Sequence, residues 1–232
     1  MAAAPASPMP RLDHRAVFDR LLAAYGPQHW WPASDGPFEV MVGAVLTQNT
    51  AWTNVERAIA NLRDAGLLEP AAMGAAPTET LAEAIRPSGY FNVKARRLQA
   101  LVAWYHAVGG AEALARWSTD DLRRGLLEVN GVGPETADDI VLYAFHRPVF
   151  VIDAYTRRIF QRLGLEPARG DGYEDWRAAF EAALFDPADP AGGVALFNEY
   201  HALIVAHGKD VCRPRPLCGT CVLADACPGR EQ

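Results

Sequence analysis

The 232-residue sequence contains little lysine, no long apolar run and no cysteine before position 212. A membrane-spanning helix needs about 20 consecutive apolar residues, and no run approaches that length. The first residues, MAAAPASPMPR, lack the charged and apolar regions of a secretory signal peptide, so we expect a cytoplasmic protein. We expect residues 1–10, which are rich in Ala and Pro, to form a flexible tail. Half of the residues are hydrophobic, which excludes a disordered chain.

A domain-wide basic excess, the usual electrostatic mark of a nucleic-acid-binding protein, is also absent, since the formal net charge is −6. The charges are unevenly distributed, however. The segment from Arg86 to Arg158 holds ten Lys or Arg against eight Asp or Glu, a net +2, whereas the remainder holds 12 against 20, a net −8. A local basic surface on an acidic body remains compatible with DNA binding.

Helical periodicity dominates what is present, and no strand-turn-strand pattern or glycine-rich βαβ unit is found. Phe38 to Leu46 is apolar on every face, so it is either a buried helix or a strand. The sequence predicts an all-α fold of roughly ten helices. The predicted helices include those starting near Asp13 and Thr119, one with Pro134 in its first turn that runs to Phe145, those containing Val55–Leu62 and Leu98–Val102, and those near 153–163, 173–184 and 194–207.

The four cysteines lie within the last 21 residues with the spacing C-x5-C-x2-C-x5-C, at Cys212, Cys218, Cys221 and Cys227. Disulfides are not expected in a cytoplasmic chain. Zinc usually takes two C-x2-C pairs separated by a longer loop. A single C-x2-C with wide arms, followed by Pro228, favours a [4Fe–4S] cluster over zinc or unligated thiols. Such a cluster is either redox-active or structural, and the absence of a flavin or nicotinamide motif favours a structural role.

Two further features carry chemistry. Gly131, Val132 and Gly133 precede Pro134 between two predicted helices, where consecutive backbone amides can bind an anionic oxygen. A glycine-rich connector between helices is the alternative interpretation. Asp153 follows an apolar run 20 residues after Gly133, and it is either a helix N-cap, a carboxylate at the mouth of a cleft, or both.

The hairpin, the downstream aspartate and the four-cysteine tail together resemble the helix-hairpin-helix DNA glycosylases of the endonuclease III superfamily, from about Phe38 to Pro228. This resemblance implies a helix-hairpin-helix glycosylase fold with the active site between two domains. One is a six-helix barrel domain that contains the hairpin, at 36–147. The other is an iron–sulfur cluster domain formed from both termini, at 11–35 and 148–232.

The resemblance also implies roles for two loops. Leu46-Thr47-Gln48-Asn49-Thr50 matches the segment that supplies a glutamine, here Gln48, to the gap left by a flipped nucleotide. Ser88-Gly89-Tyr90-Phe91-Asn92 resembles the loop that inserts a wedge residue, here Tyr90, into the duplex. Asp153 would then be the catalytic carboxylate that stabilises the oxocarbenium-like sugar and orients a water.

The sequence departs from the superfamily at two positions. The first cysteine spacing is x5, where the most familiar members have x6. In the bifunctional lyases a lysine forms a Schiff base with the sugar at the position of Glu135, and a carboxylate cannot be that nucleophile. The two lysines of the chain, Lys94 and Lys209, lie elsewhere in the sequence. We therefore expect a monofunctional glycosylase, with Glu135 as a second candidate catalytic residue.

Within the superfamily, the chain most resembles the endonuclease III-type 3-methyladenine glycosylases. The shared features are Trp30-Trp31-Pro32, an aromatic residue four positions after the glutamine (Trp52), Arg86-Pro87-Ser88-Gly89 and Glu135. Bases alkylated at N3 or N7 are cationic, so an aromatic slot recognises them by cation–π stacking. Trp31, Pro32 and Trp52 are the candidate substrate-binding residues, and Trp30 is left open. Core packing is the alternative for each tryptophan.

The expected partners are damaged double-stranded DNA and a downstream abasic-site endonuclease, and the expected protein is a nucleoid-associated monomer with no membrane attachment. Phosphate contacts would come from Gly131, Val132, Gly133 and Arg157, with Arg96 and Arg97 as possible helpers. These arginines are otherwise solvated helix faces. Alternative functions are the same fold acting on uracil, hypoxanthine or mismatched bases, a bifunctional endonuclease III-like glycosylase/lyase, a DNA-damage binder without catalysis, and a redox protein.

Overall fold

A computed structural model describes residues 12–31 and 36–231 of the chain. These residues form helices joined by short loops, and no β-strand occurs among them. The predicted all-α fold class is thus confirmed. None of the described helices combines the length and the hydropathy that a membrane span requires. The predicted tail at residues 1–10 lies outside the described residues.

The chain divides into two compact units. The central unit runs from Trp31 to Arg147, and the terminal unit consists of the described residues up to Trp30 together with those from Pro148 onward. In chain order the helices are α1 (His14–Tyr25), α2 (Pro37–Leu46), α3 (Trp52–Asp64), α4 (Pro70–Ala75), α5 (Thr78–Ala84), α6 (Phe91–Ala107), α7 (Gly110–Leu114), α8 (Thr119–Leu127), α9 (Pro134–Asp139), α10 (Ala154–Leu163), α11 (Tyr173–Leu184) and α12 (Pro190–Asp210).

The core of the central unit surrounds α2. Every residue from Phe38 to Leu46 is buried, because α3, α6 and the π-helical segment Ile140–Ala144 that continues α9 pack against this helix. Its one charged residue, Glu39, is buried and pairs with Arg63 at 3.1 Å, so the helix has no polar face and periodicity alone cannot distinguish it from a strand. It is a helix.

Local capping signals set several helix ends in both units. Asp13 caps α1 by accepting a hydrogen bond from the amide of Ala16 at 2.7 Å. Ser118 caps α8 in the same way through the amide of Asp121 at 3.1 Å. Pro134 occupies the first turn of α9, as predicted. The helix predicted at 194–207 is longer than expected, because α12 begins at Pro190 and ends at Asp210.

The helices α8 and α9 form the predicted hairpin, and a buried ion pair ties them together. Arg123 donates to both carboxylate oxygens of Asp138, at 2.6 and 3.2 Å. The Asp138 side chain is fully buried and that of Arg123 is 14% exposed. Removing one member of such a buried pair typically costs about 3–5 kcal/mol, since the other charge is left without its partner.

The core of the terminal unit is aromatic. Phe150 stacks on Phe180 with 4.3 Å between ring centroids, and Phe160 meets Phe180 edge-on at 4.6 Å. Tyr200 on α12 completes the cluster and donates its hydroxyl to the carbonyl of His14 at 2.6 Å. These contacts join α1, α10, α11 and α12. The assignment of the two units as a barrel domain and a cluster domain stays a prediction.

Candidate functional site

The hairpin turn of the central unit requires glycine at one position. Gly131 has φ +88°, and a Cβ built there would overlap the Arg97 side chain, so another residue would displace that arginine. Gly133 is exposed and precedes α9 as its N-cap residue. The prediction that the amide of Val132 contributes to phosphate binding does not fit the structure. Its side chain is buried and its amide donates to the carbonyl of Val129 at 3.0 Å, so Val132 anchors the turn.

Gln48 lies in the turn after α2 and is hydrogen-bonded to the hairpin. Its Nε2 donates to the carbonyl of Gly131 at 3.0 Å and to Oγ1 of Thr136 at 2.9 Å. Its Oε1 accepts a hydrogen bond from Arg97. The predicted DNA-contacting glutamine and the predicted phosphate-binding turn therefore form one hydrogen-bonded group, which we call the Gln48–hairpin network (Gln48, Arg97, Gly131 and Thr136).

Tyr90 is the most exposed large hydrophobic side chain among the described residues, at 71%. It has φ +46°, a left-handed conformation that non-glycine residues seldom adopt, and it immediately precedes α6. The guanidinium of Arg86 lies 4.6 Å from the centroid of the next ring in the sequence, Phe91. Nearby, Val93 is 39% exposed. The loop thus presents an aromatic side chain to solvent, which is the geometry that a wedge residue needs.

Lys94 follows this loop and is buried, with 1% of the residue exposed. Its Nζ donates to the carbonyl oxygens of Leu46 at 2.8 Å and Ser88 at 2.7 Å. Burial lowers the pKa of Lys94 to about 8, and the neighbouring Arg97 charge adds to this effect. Lys209 lies exposed on α12. Neither lysine belongs to the hairpin.

The aromatic residues predicted to bind substrate contact one another in the central unit. The ring centroids of Trp31 and Trp52 are 4.9 Å apart at an interplanar angle of 85°, and Trp31 lies 5.2 Å from Tyr143. Gly43 makes room for this group, since a Cβ there would lie 2.8 Å from Cζ2 of Trp31. Trp52 donates its indole N–H to Glu56 at 2.9 Å. Pro32 lies outside the described residues.

In the terminal unit, Asp153 is the N-cap of α10 and its carboxylate is 12% exposed. Oδ1 accepts hydrogen bonds from the amide and the hydroxyl of Thr156, at 2.7 and 2.8 Å. Oδ2 faces Nε2 of His201 at 3.7 Å. Burial acts to raise the pKa of Asp153, but the contact with His201 and the Thr156 hydrogen bonds outweigh it and hold the pKa below its ordinary value. The carboxylate is therefore ionised at neutral pH.

Comparison with known proteins identifies the family. The description "HhH-GPD superfamily base excision DNA repair protein" matches residues 42–184. The chain belongs to the HhH-GPD superfamily. A Methanocaldococcus jannaschii protein named as a DNA repair glycosylase is 44% identical over 91% of this chain and 94% of its own length. Endonuclease III of Thermotoga maritima is 30% identical over 82% of each chain.

Solved structures agree with this assignment. The structure of H. pylori 3-methyladenine DNA glycosylase bound to 1,N6-ethenoadenine has a TM-score of 0.73 and 30% identity, covering 85% of this chain and 98% of that one. A non-covalent endonuclease III–DNA complex has a TM-score of 0.75 and covers 94% and 95%, but at 24% identity it supports the fold alone. The protein is thus a base excision DNA glycosylase, a DNA-binding hydrolase of this superfamily.

The remaining predicted residues of this HhH-GPD glycosylase are placed as follows. Glu135 is the second residue of α9 and is exposed. Arg157 donates to the backbone carbonyl of Asp171 at 2.9 Å and to its carboxylate at 3.3 Å, and its side chain is 29% exposed. The guanidinium of Arg157 also lies 5.6 Å from the Trp176 ring centroid. Arg96 is exposed on α6.

The four cysteines of the glycosylase, Cys212, Cys218, Cys221 and Cys227, line one small pocket at the end of the terminal unit. All four are free thiols. Arg162 donates to Sγ of Cys212 at 3.2 Å, and the amide of Leu223 donates to Sγ of Cys221 at 3.4 Å. Among the described residues, no group of three or more His, Cys, Asp or Glu is arranged to hold a metal ion. Four thiols lining one pocket, with N–H donors directed at two of the sulfurs, are the donor chemistry that an iron–sulfur cluster uses, and the cluster itself stays a prediction.

Three residues of the glycosylase sites belong to no recognisable sequence motif. His201 is 48 positions from Asp153 in the sequence. It belongs to a helix that is predicted from hydrophobic periodicity and contains no functional motif. Tyr143 lies in the π-helical segment, where a buried tyrosine looks like any core aromatic residue. The sequence shows only that Lys94 lies far from the hairpin. For His201 and Lys94, the only indication in the sequence is a polar residue on a helix face that is predicted to be buried.

Proposed function

We propose that this protein is a monofunctional DNA glycosylase that releases alkylated purines, of the 3-methyladenine and 7-methylguanine type, by hydrolysis of the N-glycosidic bond. The observation that carries the proposal is the edge-on pair of Trp31 and Trp52. Two electron-rich rings held together recognise a cationic base by cation–π attraction, worth about 2 kcal/mol when the site is desolvated.

The chemistry of the lesion agrees with the residues that are present. An alkylated purine leaves as a neutral base, so little protonation of the leaving group is needed. In the proposed mechanism, Asp153 supplies a negative charge that stabilises the oxocarbenium-like sugar, and it orients the attacking water. His201 and Thr156 keep this carboxylate ionised, since their contacts lower its pKa.

The proposal excludes a lyase step because of the residue at position 135. A Schiff base requires an amine, and the hairpin helix carries Glu135 instead. Lys94 is occupied with two backbone carbonyls. Strand scission is then left to a separate abasic-site endonuclease. A second candidate function, release of uracil, hypoxanthine or mismatched bases, is favoured only by Glu135, whose exposed carboxyl could protonate a neutral leaving base.

The comparisons support the alkylpurine substrate to a limited degree. The H. pylori relative is named a 3-methyladenine glycosylase and shares 30% identity over 85% of this chain. Relatives named endonuclease III share similar identity, so names alone do not decide between the two activities. The tryptophan pair supports the alkylpurine substrate, and the absence of lysine at position 135 supports the monofunctional activity.

DNA binding in this proposal uses three elements of the central unit. Gly131 and Gly133 approach phosphate, Gln48 enters the gap left by the flipped nucleotide, and Tyr90 is inserted as the wedge. The protein acts as a monomer in the nucleoid on damaged double-stranded DNA. Arg157 is a weaker candidate for phosphate contact, because Asp171 already accepts its hydrogen bonds.

We also propose that Cys212, Cys218, Cys221 and Cys227 hold a [4Fe–4S] cluster that serves as a structural staple. The cluster would crosslink the segment after α12, since the thiols span 212 to 227. Arg162 and the amide of Leu223 would stabilise the thiolates through N–H···S hydrogen bonds.

The function is tested by base release from duplexes that each carry one lesion: a 3-methyladenine analogue, 7-methylguanine, hypoxanthine, uracil or thymine glycol. Each is assayed with and without later alkali. We expect release of methylated purines, with strand breaks only after alkali. Trp52→Leu should reduce alkylpurine release by about 30-fold, the equivalent of 2 kcal/mol, and Trp52→Phe by much less. Release of uracil or hypoxanthine instead would refute the substrate assignment.

The cluster is tested by metal and sulfide analysis of the purified protein. A [4Fe–4S] cluster requires iron and acid-labile sulfide in equal amounts, about four of each per chain. One zinc and no sulfide would refute it. Cys221→Ser should lose both iron and sulfide, and Lys209→Met is the matched surface control that should retain them.

A further inference from the structure

Lys94 holds two separate segments of the central unit in fixed positions. One acceptor, the carbonyl of Leu46, is at the end of α2, two residues before Gln48. The other acceptor, the carbonyl of Ser88, lies two residues before Tyr90. The Ser88 carbonyl accepts a second hydrogen bond, from Oγ1 of Thr50, at 2.5 Å. The Gln48 turn and the Tyr90 loop are therefore joined through one lysine and one carbonyl.

This arrangement is costly, so it calls for a reason beyond packing. A fully buried lysine must give up its hydration, and the lowered pKa of Lys94 reflects that cost. A Met or Leu at this position would fill the same space without it. What a hydrophobic side chain could not provide is a donor directed at two backbone carbonyls from different segments.

One helical turn further along α6, Arg97 makes the corresponding link to the hairpin. It donates to Oε1 of Gln48 and lies against Gly131. Lys94 and Arg97 thus lie one turn apart on the same helix, and they donate to Leu46 and to Gln48, respectively. A shift of the Tyr90 loop relative to α6 would break the hydrogen bond from Lys94 to the Ser88 carbonyl.

We propose that Lys94 is a positioning residue that holds the Gln48 turn and the Tyr90 loop in one register, so that both side chains enter a duplex together. This inference rests on the proposed function, which gives Gln48 and Tyr90 their roles at the damaged site. Lys94 does not touch DNA in this arrangement. It acts through the two loops, by keeping the backbone of each at a fixed distance from the other.

The test uses the full-length protein and a duplex with a tetrahydrofuran abasic-site analogue opposite 2-aminopurine. Two quantities are measured: the rise of 2-aminopurine fluorescence on binding, and the preference for this duplex over an undamaged one. We expect Lys94→Met to reduce the fluorescence rise at least threefold and the preference about tenfold. Affinity for undamaged duplex should stay within about twofold, because phosphate contacts supply it. Lys209→Met is the matched control.

A purely structural role is distinguished by repeating the substitution in a Gln48→Ala/Tyr90→Ala background. If Lys94 acts through these two side chains, Lys94→Met changes the preference less than twofold there. A second tenfold loss in that background would overturn the proposal. The proposal would also be overturned if Lys94→Met kept the wild-type preference for the abasic duplex. The same holds if Tyr90→Ala kept the wild-type rise in fluorescence.

Thr50→Val is a milder variant in case Lys94→Met does not fold. It removes one hydrogen bond to the Ser88 carbonyl and should lower the preference about threefold, while no effect would count against the proposal. The base-release assay is run on the same proteins. If the wild-type protein releases no alkylpurine but Lys94→Met still reduces the fluorescence rise, the proposed substrate is wrong. The positioning role of Lys94 is then still supported.

Discussion

Oδ2 of Asp153 lies 3.7 Å from Nε2 of His201, while Oδ1 accepts two hydrogen bonds from Thr156. The two oxygens thus have different neighbours: one holds the N-terminus of α10, and the other faces an imidazole that is itself buried. The ring of Trp30 lies 5.7 Å from that of His201. Capping is therefore compatible with the proposed catalytic role, because the capping hydrogen bonds use Oδ1 and leave Oδ2 out.

Asp153→Asn separates these two roles. Asparagine caps helices as well as aspartate does, so the fold and the duplex affinity should be retained. Without the negative charge, we expect base release to fall by about 100-fold or more, as for other losses of transition-state electrostatics. The measurement is single-turnover base release alongside duplex affinity. Asp13→Asn is the matched control, because Asp13 caps α1 through Ala16 in the same way. Retained turnover in Asp153→Asn would show that the charge of Asp153 is not needed for base release.

His201→Phe should change the pH dependence of base release. Burial raises the pKa of Asp153, and the contacts with His201 act against it. Without the imidazole, less opposes the effect of burial, so the pKa of Asp153 rises. The carboxylate then becomes protonated at a higher pH. The acid limb of the pH–rate profile should therefore move to higher pH. His106→Phe, an exposed change on α6, should leave the profile unmoved. An unshifted limb in His201→Phe would contradict this assignment.

Much of this arrangement follows from local patterns. Ser118, Gly131 and Pro134 are a cap, a turn residue and a first-turn proline, and each acts within a few residues of itself, so the α8–α9 hairpin was predictable. The partners of Asp153 and Lys94 were not. His201 is 48 positions away from Asp153, and the acceptors of Lys94 are backbone carbonyls, which every residue possesses. The short helices α4, α5 and α7 were also missed, because five to seven residues show too little periodicity.

Stability measurements against pH test the burial of Lys94. Its folded pKa of about 8 lies below its ordinary value, so the unfolded chain binds more protons between pH 8 and about 10.5. The free energy of unfolding should therefore rise with pH across this interval, by up to about 3 kcal/mol relative to Lys94→Met. Chemical denaturation of both proteins at several pH values measures the difference. A pH-independent difference would mean that Lys94 keeps its ordinary pKa, and Lys209→Met should track the wild type.

We predict that the residue at position 135 determines whether strand scission accompanies base release. A lysine amine can attack C1′ of an abasic deoxyribose, lose water to form a Schiff base, and be trapped when borohydride reduces that bond. The wild-type protein should give no trapped protein–DNA species, since Glu135 cannot form one. Glu135→Lys places an amine on the exposed first turn of α9, and we expect it to be trapped on abasic duplex.

Trapping of the wild type would show that another amine is the nucleophile, and Lys94→Met and Lys209→Met would then identify which. If neither the wild type nor Glu135→Lys is trapped, position 135 does not approach the sugar. Other residues of the site would then determine whether the protein has lyase activity as well as glycosylase activity.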